Sequence, residues 1–177
     1  NGTILFAQSG GSFYDEDNGR IAADAQGNIY ISGIHKGNFT FGTQSISGLG
    51  GFDVYLMKLD NAGNVVYVSG YSGTGSDSLH SMTVDNLNNV YIIGITTSTT
   101  VDFNGNNQNF TYPSGVYLYN IFSKFDANGN YIFHKKALVN GEIVDCSTDA
   151  QGNLYFTGNS EATATFGTIT LSSSTSD

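Results

Sequence analysis

The chain has 177 residues, 39% hydrophobic and only 12% charged, with 15 acidic against 6 basic residues and a formal charge of −9. A surface of that sign repels phosphate, so nucleic acid and anionic membranes are disfavoured as partners. One Cys cannot make an internal disulfide, and no apolar run approaches the roughly 18 residues of a membrane-crossing helix, so membrane insertion is not expected.

With 11 Tyr, 12 Phe and 23 Gly, and apolar residues alternating rather than recurring at helical spacing, the chain reads as all-β. In chain order, residues 2–10 align with Gly63–Tyr71 and read as the last strand of a preceding unit. An acidic loop at 14–19 leads to strands at about 18–24 and 28–34, joined by Asp24-Ala-Gln-Gly27-Asn28. Phe39-Thr-Phe41-Gly42-Thr43 marks a short extra hairpin, and strands at about 53–60 and 64–71 follow, joined by Asp60-Asn-Ala-Gly63-Asn64. The pattern then repeats, with strands at about 79–85, 89–96, 116–126 and 130–138, and begins again with Asp149-Ala-Gln-Gly152-Asn153. Val101-Asp-Phe103-Asn-Gly105 and Ala164-Thr-Phe166-Gly167-Thr168 echo the short hairpin.

The D-x-x-G-N turn has a physical reason. Aspartate at its first position bonds the backbone ahead of it, and Gly takes the positive φ that closes a tight hairpin. Asp24, Asp85 and Asp149 stand 61 and 64 residues apart, so each unit of about 60 residues holds four antiparallel strands. That is the pattern of a β-propeller blade. Blades are expected at 18–71 and 79–138, half of one at 143–177, and the whole at 1–177 is expected to be an arc of a larger ring. The expected core contains Ile21, Ile29, Ile31, Val54, Leu56, Val66, Val84, Val90, Ile92, Ile121, Phe125, Leu154 and Phe156.

The strings D-A-Q-G-N-I-Y-I-S-G, F-G-T and D-V-Y-L-M-K-L-D-N-A-G-N, in that order, resemble the SBBP-type β-propeller repeats of secreted and cell-surface bacterial proteins, and more distantly the NHL repeat. The resemblance covers essentially the whole chain. It implies a bladed module of a larger exported protein at the cell surface or outside the cell, and no single activity.

Candidate site residues are few. Asp15, Asp17 and Asn18 before Gly19 resemble the opening of an oxygen-rich calcium loop, although the bidentate Glu of an EF-hand would fall on Gln26. The plain alternative is a solvated acidic loop. Asp102, Asn104, Asn106 and Asn107, with Tyr112 nearby, could hydrogen-bond and stack on a sugar, or could simply make a loop. His35, His80 and His134 fall at non-equivalent repeat positions, and Cys146 stands where Ile21 and Met82 stand, so no catalytic residue is expected. Lys58 and Lys124 share a repeat position that suits an ion pair with a turn acid. The expected function is a non-enzymatic extracellular interaction or scaffold module. Its partner would be a protein or glycan at the cell surface, or further blades of the same polypeptide, and no cofactor is expected beyond possible Ca²⁺. The alternatives are a carbohydrate-binding or carbohydrate-active propeller and a calcium-stabilised structural module.

Overall fold

A computed structural model of the chain describes residues 4, 6–14, 16–112, 116, 118–139, 141–160 and 163–172, with the side chains of Asn18 and Leu138 outside that set. Every regular element in it is an antiparallel strand. The first unit holds β2 (Asp17–Ala23), β3 (Ile29–Lys36), β6 (Phe52–Leu59) and β7 (Val65–Gly73), hydrogen-bonded in the order β2-β3-β6-β7. The second repeats it with β8 (Asp77–Val84), β9 (Val90–Thr96), β12 (Tyr119–Phe125) and β13 (Tyr131–Val139). The third starts with the pair β14 (Ile143–Thr148) and β15 (Leu154–Gly158). These bounds lie within about three residues of the sequence expectation, because the turn aspartates fix them.

The five turns are nearly superimposable in their bonding. Asp24 Oδ1 accepts from the Gln26 and Asn28 amides at 3.0 and 2.9 Å, and Oδ2 accepts from the Asn28 side chain at 2.8 Å. Asp60, Asp85, Asp126 and Asp149 make the same three bonds. Gly27, Gly63, Gly129 and Gly152 take φ of 81, 88, 82 and 79°, and Asn88 takes 64° in the one turn that lacks the glycine.

The extra hairpins do something the sequence did not reveal. β10 (Thr100–Asp102) and β11 (Asn107–Asn109) belong to the second unit by sequence, yet β10 pairs with β7, the last strand of the first unit. In the same way β16 (Thr163–Phe166) and β17 (Ile169–Ser172) add to β13, and β4 (Phe39–Phe41) and β5 (Gln44–Ile46) add to β1 (Gly10–Gly11). Each hairpin therefore stitches its unit to the one before it.

Both faces of each full sheet are packed. One core cluster joins Tyr30, Val54, Leu56 and Tyr71 of the first unit to Val90, Ile92, Ile121, Phe125 and Phe103 of the second. A second joins Ile93, Phe122 and Ala137 to Ile143 and Ala164, and a third gathers Phe39, Phe41, Met57 and Leu59. Burying each large side chain is worth about 1.5–3 kcal/mol, so these contacts, with the stitches, hold the units together. The core expectation needs correction at three places: Ile21, Val66 and Phe156 are 73%, 49% and 41% exposed. Tyr30, Tyr71, Phe103 and Met57 are fully buried instead. Apolar residues occupy both faces of these strands, so alternation alone does not say which face is covered.

Candidate interaction cleft

Successive units touch through hydrogen bonds that span about one repeat. Arg20 Nε donates to the His80 carbonyl at 2.8 Å, and His80 Nδ1 bonds the Ile143 carbonyl at 2.8 Å. Ser81 donates to Asp145 at 2.7 Å and Thr148 to the Val84 carbonyl at 3.2 Å. The first strands of the three units, β2, β8 and β14, thus lie side by side.

Further out, the contacts run from fourth strand to next hairpin turn. The Ser69 hydroxyl donates to the Gly129 carbonyl at 2.8 Å, and a Cβ on Gly129 would meet the Tyr67 ring at 2.7 Å, so the ring lies flat on the glycine backbone. Lys58 Nζ crosses the Tyr30 ring, 5.0 Å from its centre, to bond the Ala127 carbonyl at 3.3 Å. Lys124 also lies over a tyrosine, Tyr91, and pairs with Asp85 at 3.6 Å. The expected ion pair with a turn acid therefore forms at Lys124, whereas Lys58 bonds a turn carbonyl.

On the far side of the second unit no hairpin turn among the described residues lies on the corresponding surface. A cleft of about 610 Å³ is lined by Phe122, Phe133, Lys135, Leu154, Phe156 and Phe166 among others. Phe133 is 38% exposed, and Lys135 is exposed without a hydrogen bond or ion pair to any described residue. Beside the cleft, β15 pairs with β14 among the described residues.

The residues expected from sequence to bind ligands are placed as follows. Asp102 Oδ1 accepts the Gly105 amide at 2.7 Å and the Asn106 side chain donates to the Phe103 carbonyl at 3.2 Å, both within the β10–β11 turn, where Asn104 takes φ 53°. Asn107 begins β11 with its side chain exposed. Tyr112 turns the other way: its hydroxyl donates to the Thr96 and Ser98 carbonyls at 3.2 and 2.8 Å, and its ring stacks on Tyr119, 4.9 Å between centres. Its hydroxyl and one ring face are thus engaged inside the protein. Asp15 and the Asn18 side chain lie outside the described residues, and Asp17 starts β2. Among the described residues no three His, Cys, Asp or Glu side chains gather where they could hold a metal ion. Cys146 packs beside Ser81, and burial pushes its thiol up, away from the reactive thiolate.

A buried polar cluster escaped the sequence reading. Asp53 and Asp77, 0% and 1% exposed, flank the junction of the first two units. Asp53 accepts the Gly73 and Leu49 amides at 2.8 and 2.7 Å; Asp77 Oδ1 accepts the Thr96 and Ser98 hydroxyls at 2.6 and 2.9 Å. Burial pushes Asp53 up to about 7 and Asp77 up to about 6, against those bonds. Asp77 Oδ2 and the Tyr71 hydroxyl have no hydrogen-bond partner among the described residues. No sequence pattern marks this pair, because Asp53 is replaced by Tyr119 in the second unit.

No protein-family model matches the chain, and no curated protein matches it.

Proposed function

We propose that the chain is a segment of a β-propeller of the SBBP type, its repeat units serving as blades with the first strands nearest the axis. It acts outside the cell, without catalysis, as an interaction or scaffold module. The observation that carries this reading is the repetition of one four-stranded unit whose first strand bonds the first strand of the next, an architecture of binding scaffolds. The side-by-side first strands support the blade arrangement. The loop at 102–112 carries less weight, since the Tyr112 hydroxyl and the Asp102 carboxylate are already bonded within the protein.

A photo-crosslinking amino acid in place of Phe156, in the protein made by its native host, tests the reading. The expected result is a crosslink to polypeptide, either a distant part of the same chain or a partner, in the extracellular fraction. A protein that crosslinks to no polypeptide, or that instead binds or cleaves glycans, overturns it.

A further inference from the structure

Asp53 and Asp77 are fully buried where the first two units meet, and neither forms an ion pair with a described residue. Asp53 holds the amides of Gly73 and Leu49, and so ties the end of β7 to the segment before β6. Asp77 holds the hydroxyls of Thr96 and Ser98, and so ties the start of β8 to the segment that leads into β10. Between the two acids runs the stitch that joins the units. Gly73 pairs with Val101 and Ser72 with Asp102, the Thr74 amide donates to the Thr100 carbonyl, and the Gly75 amide donates to the Ser98 hydroxyl. Gly73 touches both acids: its amide bonds Asp53, and a Cβ on it would lie 2.7 Å from Asp77 Oδ2. Two carboxylates so placed repel each other strongly when both are ionised, because little water screens them.

The groups around the pair supply no fixed positive charge to offset this. Tyr71 and Tyr112 lie in the field of Asp77, and burial raises both hydroxyls, which stay neutral. His35 faces Asp53 across β3 and β6, and burial drives it toward the neutral form. Its Nδ1 bonds the Gly37 carbonyl, and its Nε2 has no partner among the described residues. Glu16, whose field reaches His35 and Tyr55, is itself acidic.

We propose that the junction between the first two units is a pH-operated latch: protonated, Asp53 and Asp77 hold residues 72–77 against 96–101; ionised together, they let that stitch open. The latch lies wholly within the first two units and is independent of the partner the chain takes. Local opening lets water reach both carboxylates, which then return to the ordinary value of 3.8. In the closed junction burial pushes Asp77 up to about 6 and Asp53 up to about 7, the charge on Asp77 adding to the second. Because the closed values lie above the open one, closure is favoured most below pH 3.8 and is lost as the pH rises through about 6 to 7. For Asp77 alone, going from pH 5 to pH 8 raises the open fraction about tenfold, and Asp53 adds to it.

The test is hydrogen–deuterium exchange of the full chain at pH 5 and pH 8, read by mass spectrometry, with each peptide's rate divided by its unfolded rate at the same pH. The expected result is that protection across 72–77 and 96–101 falls about tenfold or more between the two, while that of 90–95 and 119–125 falls less. Asp77→Asn, which keeps an oxygen for both hydroxyls, should remove about tenfold of the fall, and His35→Gln should leave it in place. The readout is a ratio within one protein, so a uniform change in a variant's stability does not imitate it. Protection at the junction that does not change with pH overturns the latch, as does an equal fall over the whole chain. A fall that survives Asp77→Asn but disappears in His35→Gln assigns the response to the histidine and overturns it too.

Discussion

Replacing Asp77 by Asn isolates the cost of burying a carboxylate between two repeat units. Asp77 is 1% exposed, and burial raises its pKa from the ordinary 3.8 to about 6 despite bonds from Thr96 and Ser98. Because the folded value lies above the unfolded one, the folded chain binds the extra proton between them. The contribution to stability is therefore fully present below pH 3.8 and is lost as the pH rises through about 6. At about 1.4 kcal/mol per pKa unit, the penalty is about 3 kcal/mol at pH 8 and about 0.5 kcal/mol at pH 4. Asn keeps an oxygen for the two hydroxyls and puts an amide donor where Oδ2 has no partner, within reach of the charge field that Asp77 exerts on the Tyr71 hydroxyl. Asp77→Asn is therefore expected to stabilise the chain at pH 8 by about 3 kcal/mol, or about 6–12 °C in Tm for a domain of this size, and hardly at all at pH 4. Urea unfolding followed by circular dichroism at the two pH values measures it. A variant weaker than wild type at pH 8, or an equal difference at both pH values, refutes the argument. Asp53, pushed up by burial to about 7, acts with the same sign, so Asp53→Asn is likewise expected to gain more stability at pH 8 than at pH 5.

The turn aspartates behave oppositely: at Asp126 burial pushes the pKa up but hydrogen bonds from Asn130 and Asn128 outweigh it, holding the carboxyl low. Their stabilising share is thus lost only as the pH falls below the ordinary 3.8, and a melting profile should drop steeply there. Asn88→Gly removes a side chain from a left-handed turn residue at the loss of one exposed bond to Gln26, and a gain of about 0.5 kcal/mol in urea unfolding is expected. Gly129→Ala sets a Cβ against the Tyr67 ring at positive φ and should cost about 2 kcal/mol or more, read by the same unfolding assay. Tyr112→Phe removes the one hydroxyl hydrogen shared between the Thr96 and Ser98 carbonyls while keeping the ring on Tyr119, and a loss of about 1 kcal/mol is expected by thermal melt.

The turns were legible because their chemistry is local. Aspartate bonds residues two and four places ahead, and glycine fixes the reversal, so five hairpins could be read from short strings. The partner of each extra hairpin was not legible. Phe103 and Phe166 belong by spacing to one unit, while the strands beside them pair with the last strand of the unit before, and nothing within a short window encodes that choice. Core membership failed for a related reason. Ile21 and Ile31 are paired on the same face of β2 and β3, one 73% exposed and the other half-buried, because β2 is the edge strand of its sheet and burial depends on what packs beyond the edge. The Asp53–Asp77 pair needs two units to come together before either acid is buried.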